Sequence, residues 1–217
     1  MDFNRIFTVT LLAASACWLI DAVVSGTPRT PADLDEPPAL SATLPYVMAL
    51  PHRPERPDYQ RDRFGDGWVR TGSCTTRHEV LLAQLENATL DDCRLSTGSR
   101  IDPYGSAQLS PDSPIEIDHV IPLSAAWDLG AHQWSDEQRL RFANDPNNLV
   151  ATSRKLNQEK SDQLPAQWLP PRKSARCWYS RKVAFVAASY QLPLPEADIR
   201  AMKRTCLVSE IASFPIG

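Results

Sequence analysis

The sequence predicts an α+β fold, a small mixed domain held by disulfides. Strand-like and helix-period segments are segregated along the chain rather than alternating as βαβ units. Four cysteines, Cys74, Cys93, Cys177 and Cys206, lie beyond an N-terminal apolar stretch, an even number in a chain that looks exported. A length of 217 residues suits one domain plus an appendage, and 42% apolar with 23% charged residues is ordinary for a globular protein. The net charge of −3 excludes a broadly basic surface, so any polyanion-binding face must be local.

Taken in order, residues 1–25 read as a targeting segment. Arg5 precedes the apolar run "IFTVTLLAASACWLI", small residues follow, and Asp21 interrupts what would otherwise approach a spanning helix. A cleaved signal peptide is favoured over an N-terminal anchor, which implies a secreted or cell-surface protein. "ASAC" at Cys17 resembles a lipoprotein box, but the apolar "WLI" after it disfavours lipidation. Residues 26–57 are proline-rich and read as an extended linker with a short docked piece at "YVMAL". The domain proper is expected over 58–217. Four cysteines allow three pairings, and the local one, Cys74–Cys93 with Cys177–Cys206, closes two short loops. No Cys-x-x-Cys pair suggests structural zinc.

Within the domain, "RHEVLLAQLENA" has helical spacing, and "DDCRLSTGSRIDPYG" reads as strand, turn and strand. "SPIEIDHVIPLS" is a strand ended or bent by Pro122. "AAWDLG" gives one helical turn, and Ser135 is placed to cap a short helix in "SDEQRLRFAND". "NNLVATS" is a strand after an Asp-Pro turn. "SRKLNQEKSDQL" is a helix stopped before Pro165, and "SRKVAFVAASYQL" a final amphipathic helix.

The strand "IEIDHVI" carries an adjacent carboxylate and imidazole, Asp118 and His119, among apolar residues. Carboxylates are rarely buried without a partner or a metal, because desolvating the charge is costly. "IDHVIPLS", "NNLVATS" and "KLNQEKSD" follow one another as strand, loop, strand and helix, with His119, Asn148 and Asn157 at element ends. This order resembles the HNH nucleases, whose ββα finger grips one divalent cation. "GSCTTRHEVL", "DPYG", "AWDLGAHQW", "FANDPNNLVA" and "WLPP" resemble the exported branch related to the GmrSD-type HNH domain. The resemblance spans about residues 59 to 206.

The resemblance implies His119 as general base, Asp118 and Asn157 as ligands of one divalent cation, and Asn148 as a hydrogen-bonding partner that orients the His119 ring. The chemistry is consistent. Phosphodiester hydrolysis needs an activated water, charge neutralisation at the phosphoryl oxygens and help for the leaving alkoxide. Neutral imidazole suits the first task, and a hard cation with oxygen ligands suits the others. Mg²⁺ is favoured, with Mn²⁺ or another divalent ion admitted. Adjacent strand residues point to opposite faces, so a bend near Pro122 is needed to bring Asp118 and His119 to one site. Glu116 is read as a surface residue. His78 and His132 are read as structural or exposed, and Asp162 as a brace at the helix end.

Nucleic acid is the expected partner, DNA ahead of RNA, with low sequence specificity because no base-reading module is present, and the protein is expected to be a monomer. Arg172, Lys173 and Arg176 with Trp178 and Tyr179 form a basic, aromatic stretch able to track a phosphate backbone, or else a solvated helix face over core aromatics. Arg77 is a second candidate phosphate clamp. Two rival functions are a non-catalytic binding module and a metallo-hydrolase of another phosphodiester or of cell-wall polymers.

Overall fold

The computed structural model describes residues 36–211, with side chains to Leu207. The targeting segment lies outside the described residues. Among those described, no helix is long and apolar enough to cross a membrane.

The central unit is an antiparallel pair, β7 (Ile115–His119) and β8 (Leu149–Ser153), followed directly by helix α5 (Arg154–Lys160). The register places Asp118 opposite Val150 and His119 opposite Leu149. Alternation sorts the side chains. Ile115, Ile117, Leu149 and Ala151 pack on Val80, Leu81 and Leu85, whereas Val150 joins the larger core of Val120, Ile121, Tyr179, Val183 and Met202. Val80 and Leu81 come from helix α2 (Thr76–Gln84), whose Gln84 amide donates to Leu149 O and accepts from Ala151 N. That side chain satisfies the outer edge of β8, which no strand covers.

Helix α3 (Leu123–Leu129) follows Pro122, and α4 (Asp136–Ala143) is capped by Ser135, whose hydroxyl accepts from Gln138 N as its position predicts. The two disulfides join Cys74 to Cys93 and Cys177 to Cys206, the local pairing.

Four expectations are revised. The stretch read as strand, turn and strand is one continuous strand, β5 (Arg94–Ile101), paired with β4 (Glu86–Asp91) through a turn at Asp92–Cys93. Gly98 does not turn. It sits at φ +115° beside a register shift, where a Cβ would come within 2.7 Å of the Ala88 backbone. Helix α5 stops at Lys160, because Ser161 adopts φ 52°. The helix α6 (Arg176–Ser189) is not the last: α7 (Glu196–Ile211) follows and is joined to it by Cys177–Cys206.

The fourth revision concerns the linker. Its C-terminal part is docked well beyond "YVMAL". Helix α1 (Leu40–Thr43) buries Leu40 against the main core, and Val47 is buried with it. Strand β1 (Ala49–Leu50) pairs in parallel with β9 (Leu194–Pro195).

Candidate active site

The C-terminal end of β7 opens into a cleft of about 250 Å³ lined by Tyr59, Arg61, Asp118, His119, Asn157, Ser161 and Asp162 among others. The sequence-predicted Asp118, His119 and Asn157 therefore share one cavity. The chain reaches this arrangement because β7 ends at His119 and α5 turns back along it, with Asn157 and Lys160 at helical spacing on one face and Ser161 just past the helix end.

His119 is buried, and its ring stacks at 9° on Trp68 with centroids 5.5 Å apart. Its Nε2 lies 2.8 Å from the Ala143 carbonyl oxygen at the end of α4. A carbonyl oxygen only accepts, so Nε2 carries the hydrogen and Nδ1 is the nitrogen with an available lone pair. Among the described residues no group hydrogen-bonds Nδ1. Burial depresses the imidazole pKa to about 4, opposed by the Ala143 bond. The ring is neutral at pH 7.

Asn148 does not touch that ring, contrary to the expectation from sequence. Its Oδ1 accepts from Ile121 N at 2.9 Å and its Nδ2 donates to Ile121 O at 3.3 Å. Fully buried, it clamps the backbone just after His119, so it fixes the bend at the strand end while Ala143 fixes the imidazole. The bend expected near Pro122 is thus held by a side-chain amide.

Asp118 is buried and doubly engaged. Its Oδ1 accepts from Lys160 Nζ at 2.9 Å and its Oδ2 from the Tyr104 hydroxyl at 2.7 Å. Lys160 is fully buried and also donates to the His119 carbonyl at 2.8 Å. Burial raises the Asp118 pKa, and the ammonium and phenol oppose that rise. Tyr104 is placed by Asp102, which accepts from Tyr104 N, Thr152 Oγ1 and Ser153 N. Neither Lys160 nor Tyr104 was singled out from sequence. Lys160 was legible as a neighbour of Asn157 on one helix face, and Tyr104 lies in the "DPYG" segment.

Glu116, read as a surface residue, instead fastens α5 to β7. It accepts from Arg154 Nε, Asn157 Nδ2 and Gln158 Nε2 at 3.0, 2.8 and 3.4 Å. With Nδ2 so used, the Asn157 Oδ1 is left as an acceptor. Among the described residues there is no group of three or more His, Cys, Asp and Glu side chains poised to hold a metal. Asp118 and the Asn157 Oδ1 offer oxygen acceptors of the kind a hard cation prefers, and the Lys160 ammonium already occupies one of the Asp118 oxygens.

The expected basic groups do not converge here. Arg77 donates to Ile115 O, Arg176 to Pro170 O and Arg172 to Pro103 O, so each guanidinium serves a backbone carbonyl outside this cleft. Lys173 is exposed in the turn before α6. Tyr179 is fully buried in contact with Tyr104 and Trp168, and Lys182 is buried over the Trp178 ring at 5.5 Å. The basic aromatic stretch is chiefly a core helix. His78 completes a capping box with Thr75, and His132 bonds the Trp127 carbonyl, so both are structural.

Residues 60–191 match the family described as GmrSD restriction endonucleases, C-terminal domain. The chain belongs to this family. It is a nuclease family; the β7–β8–α5 unit falls inside the matched span, as does every cleft-lining residue but Tyr59. An "Uncharacterized secreted protein" of Arthroderma benhamiae is 38% identical over 188 residues, covering 82% of this chain and 92% of that protein. No solved structure matches.

Proposed function

We propose that this family member is an exported HNH-type endonuclease that hydrolyses phosphodiester bonds of nucleic acid, DNA in preference to RNA, with one divalent cation. The observation that carries this reading is His119. Its Nε2–H is committed to Ala143 O, its ring is neutral at pH 7, and Nδ1 is the atom left to take a proton in the cleft. Export is supported by the apolar N-terminal segment, the two disulfides and the secreted relative from Arthroderma benhamiae.

In this reading a water beside Nδ1 gives its proton to the imidazole, and the hydroxide attacks phosphorus while the P–O bond to the leaving oxygen breaks. Stacking on Trp68 and the bond to Ala143 hold the ring in one orientation through that transfer. Asp118 and Asn157 would hold the cation, Mg²⁺ by its preference for oxygen, and it would supply charge neutralisation at the phosphate and leaving alkoxide. Lys160 neutralises Asp118 in the meantime and ties the His119 carbonyl to the same point.

The test is plasmid nicking with and without EDTA, for the parent and for His119→Ala. Loss of roughly 10²–10⁴-fold with retained DNA binding supports His119 as the base. Full nicking by His119→Ala, at the same pH and metal concentration, refutes it.

A further inference from the structure

The cleft holds two carboxylates, and each already has a cation. Asp118 is paired with Lys160 at 2.9 Å. Asp162 is paired with Arg53 at 3.0 Å, and the same guanidinium donates to the Asp162 carbonyl at 2.8 Å and to Asp128 Oδ2 at 2.7 Å. Arg61 is different. It lines the main cleft and also the small cavity on the Trp68 side of His119, so it borders the imidazole from both. It is exposed and forms no ion pair among the described residues, and it lines the cleft beside Tyr59. Among the residues lining the cleft it is the cationic side chain, and it has no carboxylate partner among the described residues.

Residues 53–59 hold Arg61 in place. Arg53 spans α3 and the end of α5, Asp128 Oδ1 accepts from Arg56 N at 3.0 Å, and the Trp127 indole donates to Asp58 at 3.0 Å. Tyr59 then packs on Phe64 and Trp127 at 6.4 and 6.3 Å. This strap lies before the matched family span, which begins at residue 60.

We propose that Arg61 grips a non-bridging oxygen of the backbone phosphate that enters the cleft, and that the strap 53–59 is a built part of the site. Guanidinium matches phosphate geometry with paired donors, and a guanidinium without a carboxylate partner at the cleft wall is free to take an anion. Arg53 acts as a positioning residue: it neutralises Asp162, which would otherwise repel a phosphate, and fixes the path of the chain to Arg61. This inference rests on the nuclease reading.

Arg61→Ala and Arg61→Lys are compared with the parent by kcat/KM on plasmid and by the salt dependence of oligonucleotide binding, the latter in the cleavage-deficient His119→Ala chain. Loss of kcat/KM by roughly 10²-fold is expected for Arg61→Ala, with partial recovery in Arg61→Lys. The salt slope should fall by about one for a single lost phosphate contact. Arg53→Ala should lower kcat/KM in the parent and add little in Arg61→Ala, because one acts through the other. Thermal melting should be unchanged for Arg61→Ala, since the side chain is exposed. A parent that cleaves while Arg61→Ala cleaves equally, with the same salt slope, overturns the inference alone. A parent that neither binds nor cleaves nucleic acid overturns the nuclease reading, and this inference with it.

Discussion

Acid is the sharpest probe of His119. An imidazole of ordinary pKa near 6.5 is only about 3% neutral at pH 5, whereas one near 4 is about 90% neutral. Burial places His119 in the second class, at about 4. At sub-saturating substrate, where kcat/KM reports the free protein, activity at pH 5 should therefore stay close to that at pH 7.5, and the acid limb should appear near pH 4. The two cases differ by about 30-fold at pH 5. The assay is nicking of supercoiled plasmid at both pH values with saturating divalent ion, with near-ultraviolet circular dichroism at each pH to show that the fold persists. An inflection near 6.5, with a few per cent of activity left at pH 5, would refute the buried neutral base. The same shift has a stability consequence with a definite sign. Between pH 6.5 and about 4 the unfolded chain takes up a proton at this ring and the folded chain does not, so stability falls as pH falls. The loss is roughly 3 kcal/mol when complete, and His119→Gln should abolish that component in denaturant titrations.

Further outcomes follow from the buried network. Lys160→Met leaves the Asp118 carboxylate buried with Tyr104 as its only donor and should cost about 3–5 kcal/mol in urea unfolding; adding Asp118→Asn should recover part of it, and a simple sum of the two losses would contradict the pairing. Asp102→Ala removes one acceptor from three donors and should cost about 3 kcal/mol or more, while also loosening Tyr104; an unchanged midpoint would mean water replaces the carboxylate. Asn157→Ala should weaken divalent-ion binding by calorimetry without loss of fold, and unchanged binding would remove Asn157 as a ligand. Non-reducing peptide mapping should recover Cys74–Cys93 and Cys177–Cys206, and removing either link should cost about 2–5 kcal/mol.

The β7–β8–α5 unit was legible because its signals are local. Ile115 and Ile117 alternate, and the Asp-Pro turn marks the start of β8. The disulfide pairing was legible because it joins near neighbours. What escaped depends on tertiary contacts. Lys160 reads as a solvated helix residue until Asp118 and the His119 carbonyl are seen to enclose it. The depressed pKa of His119 is a fact of burial, not of residue type. The amide of Asn148 has the right place in the chain but spends its bonds on Ile121, and spacing does not distinguish the backbone beside a residue from its ring. Residues 53–57 read as linker because Pro54 and Pro57 interrupt any periodicity, although Arg53 is anchored to Asp128 and Asp162. Helix α7 was missed behind Pro193 and Pro195, even though Ala201, Met202 and Cys206 form its buried stripe.

The parallel pairing of Ala49 with Leu194 and Leu50 with Pro195 makes the domain close on itself. Its folded unit is thereby longer than the matched span at both ends, since β1 and β9 hold together residues on either side of 60–191. A protein trimmed to that span would retain the imidazole, its carboxylate neighbour and the helix beside them. It would lack both β1 and β9, the Cys206 end of the second disulfide, Leu40 and Val47 from the core, and Tyr59 from one wall of the cleft. Shortening the chain to its recognisable motif would then yield a folding-impaired, open-sided remnant. The smallest sensible unit for expression and measurement starts ahead of Leu40 and runs through Cys206.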